Sequence, residues 1–105
     1  MTEIKVADNP QRNRYEASVD DQPAGFAAYR REDDRIVFTH TEIDSAFEGK
    51  GVGSTLAREA LDDVRRQGKI VVPLCPFVAA FIGKHPEYVD LVDDAYRAQF
   101  DEPTT

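Results

Sequence analysis

Phe47-Glu-Gly-Lys-Gly-Val-Gly-Ser54 is the stretch that decides how this chain is read. Three alternating glycines sit between a β-rich run, Arg35-Ile-Val-Phe-Thr-His-Thr-Glu-Ile43, and a long amphipathic helical pattern. Glycine lets the backbone turn tightly there and approach a ligand with no Cβ in the way. The following helix points its unpaired N–H groups and the positive end of its dipole into the turn. Such a junction is an anion site, most often for phosphate, and it predicts a phosphorylated cofactor.

Working outward, Ile4-Lys-Val-Ala7 and Arg14-Tyr-Glu-Ala-Ser-Val19 alternate as strands do. Asp20-Asp-Gln-Pro23 predicts a turn, Ala24 to Arg30 a third strand, Glu32-Asp-Asp34 a turn and Arg35 to Ile43 a fourth strand. Connections this short predict an antiparallel meander. Past the glycines, Val52, Leu56, Ala57, Ala60, Leu61 and Val64 keep the helical period, with Arg58, Glu59, Asp62, Asp63 and Arg65 on the other face. Gly68 is the expected C-cap, Lys69 to Leu74 a buried strand and Phe77 to Lys84 a short helix. Because a whole helix separates the fourth and fifth strands, these two can run parallel. Tyr88 to Phe100 predicts a last helix, and a polar tail occupies 100–105. The expectation is one α+β domain over residues 1–99.

Composition narrows the function classes. A chain of 105 residues has room for one core. No apolar run approaches the about 18 residues of a membrane span, and the N-terminus has no basic-then-apolar leader pattern. One cysteine forms no internal disulfide and suits a reducing cytoplasm. Twenty acidic against thirteen basic residues leave a net charge of −7, which disfavours a nucleic-acid partner. The same charge would attract a cationic substrate such as an amine, although acidity also serves solubility.

Two familiar phosphate motifs fail on the glycine turn. A P-loop needs Ser or Thr after its Gly-Lys, and here Gly51 follows Lys50. A dinucleotide fold needs its turn after the first strand and an acid about 20 positions on. Ile70 to Pro73 supplies none. What remains is a pyrophosphate turn behind a meander, with the ligand's arm between the fourth and fifth strands, or a glycine-rich helix entry without a ligand.

Ile43-Asp-Ser-Ala-Phe-Glu-Gly-Lys-Gly-Val-Gly-Ser-Thr-Leu56 resembles motif A of the GNAT N-acetyltransferases, which bind acetyl-CoA. Cys75-Pro-Phe-Val78 and Lys84-His-Pro-Glu-Tyr88 are similar to a small single-domain branch of that superfamily, and the resemblance covers roughly residues 3–93. It implies a meander, a splayed fourth and fifth strand pair and acetyl-CoA between them. It further implies that backbone groups of Thr41, Glu42 and Ile43 bond the pantetheine arm. The amides of Gly49, Lys50, Gly51, Val52, Gly53 and Ser54 would hold the pyrophosphate. Two positions depart from the family pattern. Motif A commonly opens with Gln or Arg, whereas Glu48 puts an acid beside the expected pyrophosphate, a repulsion avoided if it faces solvent or pairs with Lys50 or Arg58. Many relatives also carry a tyrosine after the fifth strand to protonate the leaving thiolate, and Phe81 and Ile82 stand there instead.

Several residues are candidates for the missing chemistry. Cys75, at the end of the fifth strand, can accept the acetyl group, protonate the departing sulfur, or simply line the pocket as a small buried residue. His40 can serve as base for an ammonium acceptor or be a structural histidine. Alternation puts His40 and Glu42 on one face of the strand and Thr41 and Ile43 on the other. His85, ahead of Pro86 at a helix end, reads as structural. Tyr88 is a displaced acid or a core residue. Phe77 and Phe81, four apart, pack against the pantetheine arm or the core. Cys75, His40 and His85 lack metal-ligand spacing, so no metal is expected. The leading expectation is acetyl transfer from acetyl-CoA to a primary amine by direct attack. The rival is a non-catalytic acyl-CoA binding or sensing module. Without long substrate loops the pocket is expected to be open to a small amine, a polyamine or a protein amine.

Overall fold

The computed structural model describes residues 3–100. Five strands, β1 (Ile4–Asn9), β2 (Arg14–Val19), β3 (Gln22–Glu32), β4 (Arg35–Ile43) and β5 (Ile70–Pro73), form one sheet in the order β1-β2-β3-β4-β5. The first four pair antiparallel, and β4 and β5 pair parallel. Helix α1 (Val52–Arg66) makes the crossover between β4 and β5, and α2 (Pro76–Lys84) follows β5. The mixed sheet with helices packed on it is the expected α+β architecture.

Local chemistry sets each turn. Asp20 and Asp21 both take positive φ, 50° and 70°, as the two central residues between paired Val19 and Gln22. This is the primed turn whose twist matches a hairpin, and it starts β3 two residues before the sequence pattern does. Pro23 is accommodated within the strand because the register slips beside it, between Ala17 and Ser18 on the partner strand.

The apolar stripe of α1, from Val52 through Leu56, Ala57, Ala60 and Leu61 to Val64, is fully buried. It meets Tyr15, Ala17, Val19, Ala27, Tyr29, Ile36, Phe38 and Val71 of the sheet in one core, joined by Val78, Phe81 and Ile82 of α2. Burying a leucine such as Leu61 in this way contributes about 1.5–3 kcal/mol. Buried tyrosines keep their hydroxyls satisfied at the core's edge. Tyr15 donates to Asp63 at 2.7 Å, Tyr29 to Asp8 at 2.6 Å and Tyr88 to Asp62 at 2.7 Å.

The C-terminal region differs from the single helix expected over Tyr88 to Phe100. A 3-10 segment, Pro86–Leu91, ends where Val92 turns extended and bridges Val71 at the free side of β5. Asp93 then caps a short α3 (Asp94–Arg97), with a 3-10 turn at Ala98–Phe100. Pairing Val92 with the sheet outweighs the helical pattern around it. Phe100 packs against the core, and residues 101–105 of the expected tail lie outside the described residues. Among the described residues, no helix is long and apolar enough to cross a membrane.

Candidate functional site

β4 and β5 pair only from Arg35↔Ile70 to Phe38↔Pro73. The amide of Cys75 still donates to the carbonyl of Phe38 at 2.9 Å, and beyond it the two chains part. β4 runs on to Ile43, still paired with β3 on its other side. Among the described residues its edge toward β5 is therefore unpaired from Thr39 to Ile43, a row of backbone donors and acceptors at the mouth of a wedge.

A bulge decides which side chains face into the wedge. Ala28 pairs with His40 but Tyr29 pairs with Phe38, so Thr39 is the extra residue. Strict alternation from inward-facing Ile36 and Phe38 would bring His40 and Glu42 to the helix side. The bulge reverses the phase, so Thr41, opposite buried Ala27, turns toward the helices. His40 and Glu42 turn to the outer face, each with a side chain 61% exposed, and approach each other at 3.6 Å. The expected division into His40 with Glu42 and Thr41 with Ile43 is the one observed.

Cys75 stands at the wedge's inner end, only 2% exposed, with Sγ 3.2 Å from Thr41 Oγ1. It is also the residue before α2, whose first helical position is Pro76. The next amides, Phe77 and Val78, have no intrahelical acceptor and lie at the positive end of the helix dipole. Cys75 and His40 are not brought together, because they belong to opposite faces of the sheet. The Thr41 hydroxyl, expected to contribute only its backbone, is the side chain the sequence reading missed. No pattern in the sequence signals it, since it depends on the bulge.

The glycine turn lies at the outer end of the wedge. A 3-10 turn, Ser45–Phe47, is capped by Asp44, whose side chain accepts from Ala46. Gly49 and Gly51 then take left-handed φ of 80° and 81°, and Gly51 starts α1 with no side-chain cap and no acid in the first turn. That omission stands out because Asp44 and Asp93 cap other helical turns of this chain. The N–H groups of Val52, Gly53 and Ser54 are thus left without a partner from the chain's own helix. Their arrangement fits an anion supplied from outside. The Lys50 amide is turned inward, donating to Phe47 at 3.4 Å. Glu48 is exposed and, among the described residues, forms no ion pair.

Phe77 crosses from α2 to this N-terminus. A Cβ on Gly53 would lie 2.6 Å from the Phe77 ring, so glycine is needed for the ring to rest there. Phe77 is 40% exposed and lines a narrow cleft with Thr41, Phe38, Leu56 and Val78. Phe81, by contrast, is buried, stacked on His85 at 4.2 Å with the Arg58 guanidinium 5.6 Å from its centre. His85 is accordingly held at the helix end. Tyr88 is buried and donates a hydrogen bond to Asp62, and burial followed by that bond pushes its hydroxyl above the usual tyrosine range. It is a core residue.

A wedge between parallel strands, opening onto an uncapped helix start, agrees with a family match. The family described as GCN5-related N-acetyl-transferase matches residues 14–91. The chain belongs to this family. Acyl transfer is the family's general chemistry, and the chain shares its fold. The solution structure of a GCN5-like protein from Staphylococcus aureus superposes with a TM-score of 0.63, covering 87% of each chain at 22% identity. At that identity the likeness speaks for the fold alone. No curated protein sequence matches the chain significantly.

Proposed function

We propose that the protein transfers an acetyl group from acetyl-CoA to a primary amine. The observation that carries this reading is the wedge itself. Its inner end holds Cys75 and Thr41 at 3.2 Å, and its outer end is the uncapped N-terminus of α1. The amides of Val52, Gly53 and Ser54, with the turn at Gly49 and Gly51, would receive the pyrophosphate. The free β4 edge at Thr41, Glu42 and Ile43 would bond the pantetheine arm, and the exposed Phe77 ring would cover it. Acetyl-CoA supplies an acyl carbon activated by its thiol leaving group.

The chain's own residues then orient and move protons. In this reading the amine enters from the outer face, and His40 would accept its proton as the C–N bond forms. The C–S bond breaks, and the departing sulfur takes a proton from the Cys75 thiol or from water. Amides at the start of α2 would steady negative charge developing near Cys75. Direct attack suits this layout, since His40 and Cys75 lie on opposite faces and do not form a nucleophile–base pair. A lone free thiol at the site suits a reducing cytoplasm.

One observation favours a second reading, a module that binds acyl-CoA without turnover. The position of the usual tyrosine is filled by buried Phe81 and Ile82, and Tyr88 is committed to Asp62. Measuring acetyl-CoA binding by calorimetry, and CoA release across a panel of amines, separates the two. Binding with amine-dependent release of free CoA is expected. Binding without release on any amine would leave the sensing module, and no binding would refute both.

A further inference from the structure

A second concavity lies apart from the wedge. It is an open hollow of about 740 Å³ on the outer face of the meander, away from the helices. Its origin lies in the backbone. Two bulges, at Ala17/Ser18 against β3 and at Ala28/Tyr29 against β4, bend and twist the strands. A floor of small residues, including Ala7, Ser18 and Gly25, leaves the curve unfilled. One cross-strand row traverses it: Ala7 faces Glu16, Glu16 faces Phe26, and Phe26 faces Glu42. The Arg14 guanidinium lies 4.5 Å above the Phe26 ring and is neutralised by Glu16 at 2.7 Å. His40 approaches the same ring edge-on at 6.1 Å.

The two ends of the hollow differ in charge. At the β4 margin are Glu42 and Asp44, with the His40 imidazole 3.6 Å from Glu42. Asp21 adds to the acidic rim and Lys5 lies 4.0 Å from Glu3 on the β1 side, while Arg12 in the β1–β2 turn forms no salt bridge among the described residues. β1 to β4 spans three strand spacings, about 14 Å across the sheet, and the Arg12 side chain must also reach along the strands, because its turn lies beyond the Arg14–Ala28–His40 row. An extended peptide covers that distance in about four residues. The β4 margin is also the back of the strand segment that diverges from β5.

From this we infer that the hollow is the acceptor site and that the acceptor is a peptide. Its primary amine sits at the Glu42–Asp44 margin beside His40, its backbone crosses Phe26, and an acidic side chain about four residues away meets Arg12. Charge complementarity selects this ligand over a free polyamine, which would put a second cation against Arg12. The hollow is open to solvent, so a chain can continue out of it. The inference deepens the acetyl-transfer reading and rests on it.

The test uses a lysine peptide with a glutamate four residues away, and its twin with lysine in place of that glutamate. In an NMR titration of the protein without acetyl-CoA, the glutamate peptide should shift the amides of Ala7, Glu16 and Phe26. In transfer assays, Arg12→Glu should raise KM for the glutamate peptide about tenfold and lower it for the twin, with acetyl-CoA affinity unchanged. Equal KM values for both peptides in both proteins would overturn the inference, as would spermine outperforming the glutamate peptide. Shifts confined to β4 and α2 would overturn it too. So would concentration-dependent broadening of the hollow amides with no peptide present, which would assign the face to a second copy of the chain. Peptide shifts in the hollow with acetyl-CoA bound but no acetyl transfer would instead refute the enzymatic reading and keep the hollow as a peptide surface.

Discussion

Thr41 and Cys75, thirty-four residues apart in sequence, meet side chain to side chain at 3.2 Å just past the last β4–β5 pair. The contact marks the inner limit of the wedge and depends on the Thr39 bulge, without which His40 would occupy the place of Thr41. Thr41→Val keeps the volume and removes the hydroxyl. We expect the fold to persist, with a change of about 1 kcal/mol or less in stability, because the lost bond is one to a neutral thiol. If that hydroxyl also orients the thiol, transfer to an amine slows while acetyl-CoA affinity holds. Parallel calorimetry and initial rates check both.

The glycine turn separates strain from contact. Gly51 has φ of 81° with open space where a Cβ would project, whereas a Cβ on Gly53 would meet the Phe77 ring at 2.6 Å. Gly51→Ala should therefore cost about 1–2 kcal/mol through its left-handed backbone. Gly53→Ala should displace Phe77 instead. Both should weaken acetyl-CoA binding, and Gly53→Ala in a Phe77→Ala background should recover stability. Unchanged acetyl-CoA affinity in a folded Gly51→Val protein would remove the turn from the cofactor site.

Glu48 offers a test of sign. It is exposed, with no ion pair among the described residues, one residue before left-handed Gly49. Glu48→Arg replaces repulsion of a pyrophosphate with attraction and should bind acetyl-CoA as well as or better than the parent, more so at low salt. A clear loss of affinity in the folded variant would give the acid a positive role.

Stability should fall on acidification. Burial raises the Asp63 carboxyl, but bonds from Tyr15 and Gln67 and the Arg66 charge outweigh it and hold the group below the usual range. The bond from Arg65 lowers Asp90, and the bond from Arg14 lowers Glu16. For carboxylates depressed in the folded state, stability is full above the unfolded pKa, about 4, and is lost as pH falls through the lower folded value. Thermal midpoints should hold from pH 7 to 5 and drop toward pH 3. Asp63→Asn should flatten part of that drop, and an unchanged profile would show that its bonds do not survive in solution.

How much of this is legible in the sequence depends on the range of the interaction. β2, β4 and the start of α1 are legible to the residue, because alternation, turn acids and glycines are local signals. Parallel pairing of β4 and β5 follows from the length of the connection. Thr39 carries no local mark of a bulge, so the sequence does not assign the face of β4 that meets the helices, nor the Thr41–Cys75 contact. The neighbours of Val92 place it in a helix, though a bridge to Val71 claims it. The outer hollow is invisible for the same reason: small residues on separate strands form a concavity only once two bulges bend the sheet.

Cys75 gives the sharpest mechanistic test. It is buried, bonded among described side chains only to Thr41, and on the opposite face from His40. A covalent acetyl-cysteine needs a base to generate the thiolate, and the described residues place none against the sulfur. Direct attack needs only a proton for the departing CoA sulfur, which water can supply. Cys75→Ala should therefore bind acetyl-CoA normally and slow transfer by less than the about 100-fold that loss of an obligatory general acid brings. Mass spectrometry of the protein with acetyl-CoA and no amine should show no acetyl group on Cys75. A stable acetyl adduct that an added amine removes at the turnover rate would overturn direct attack and make this residue the nucleophile.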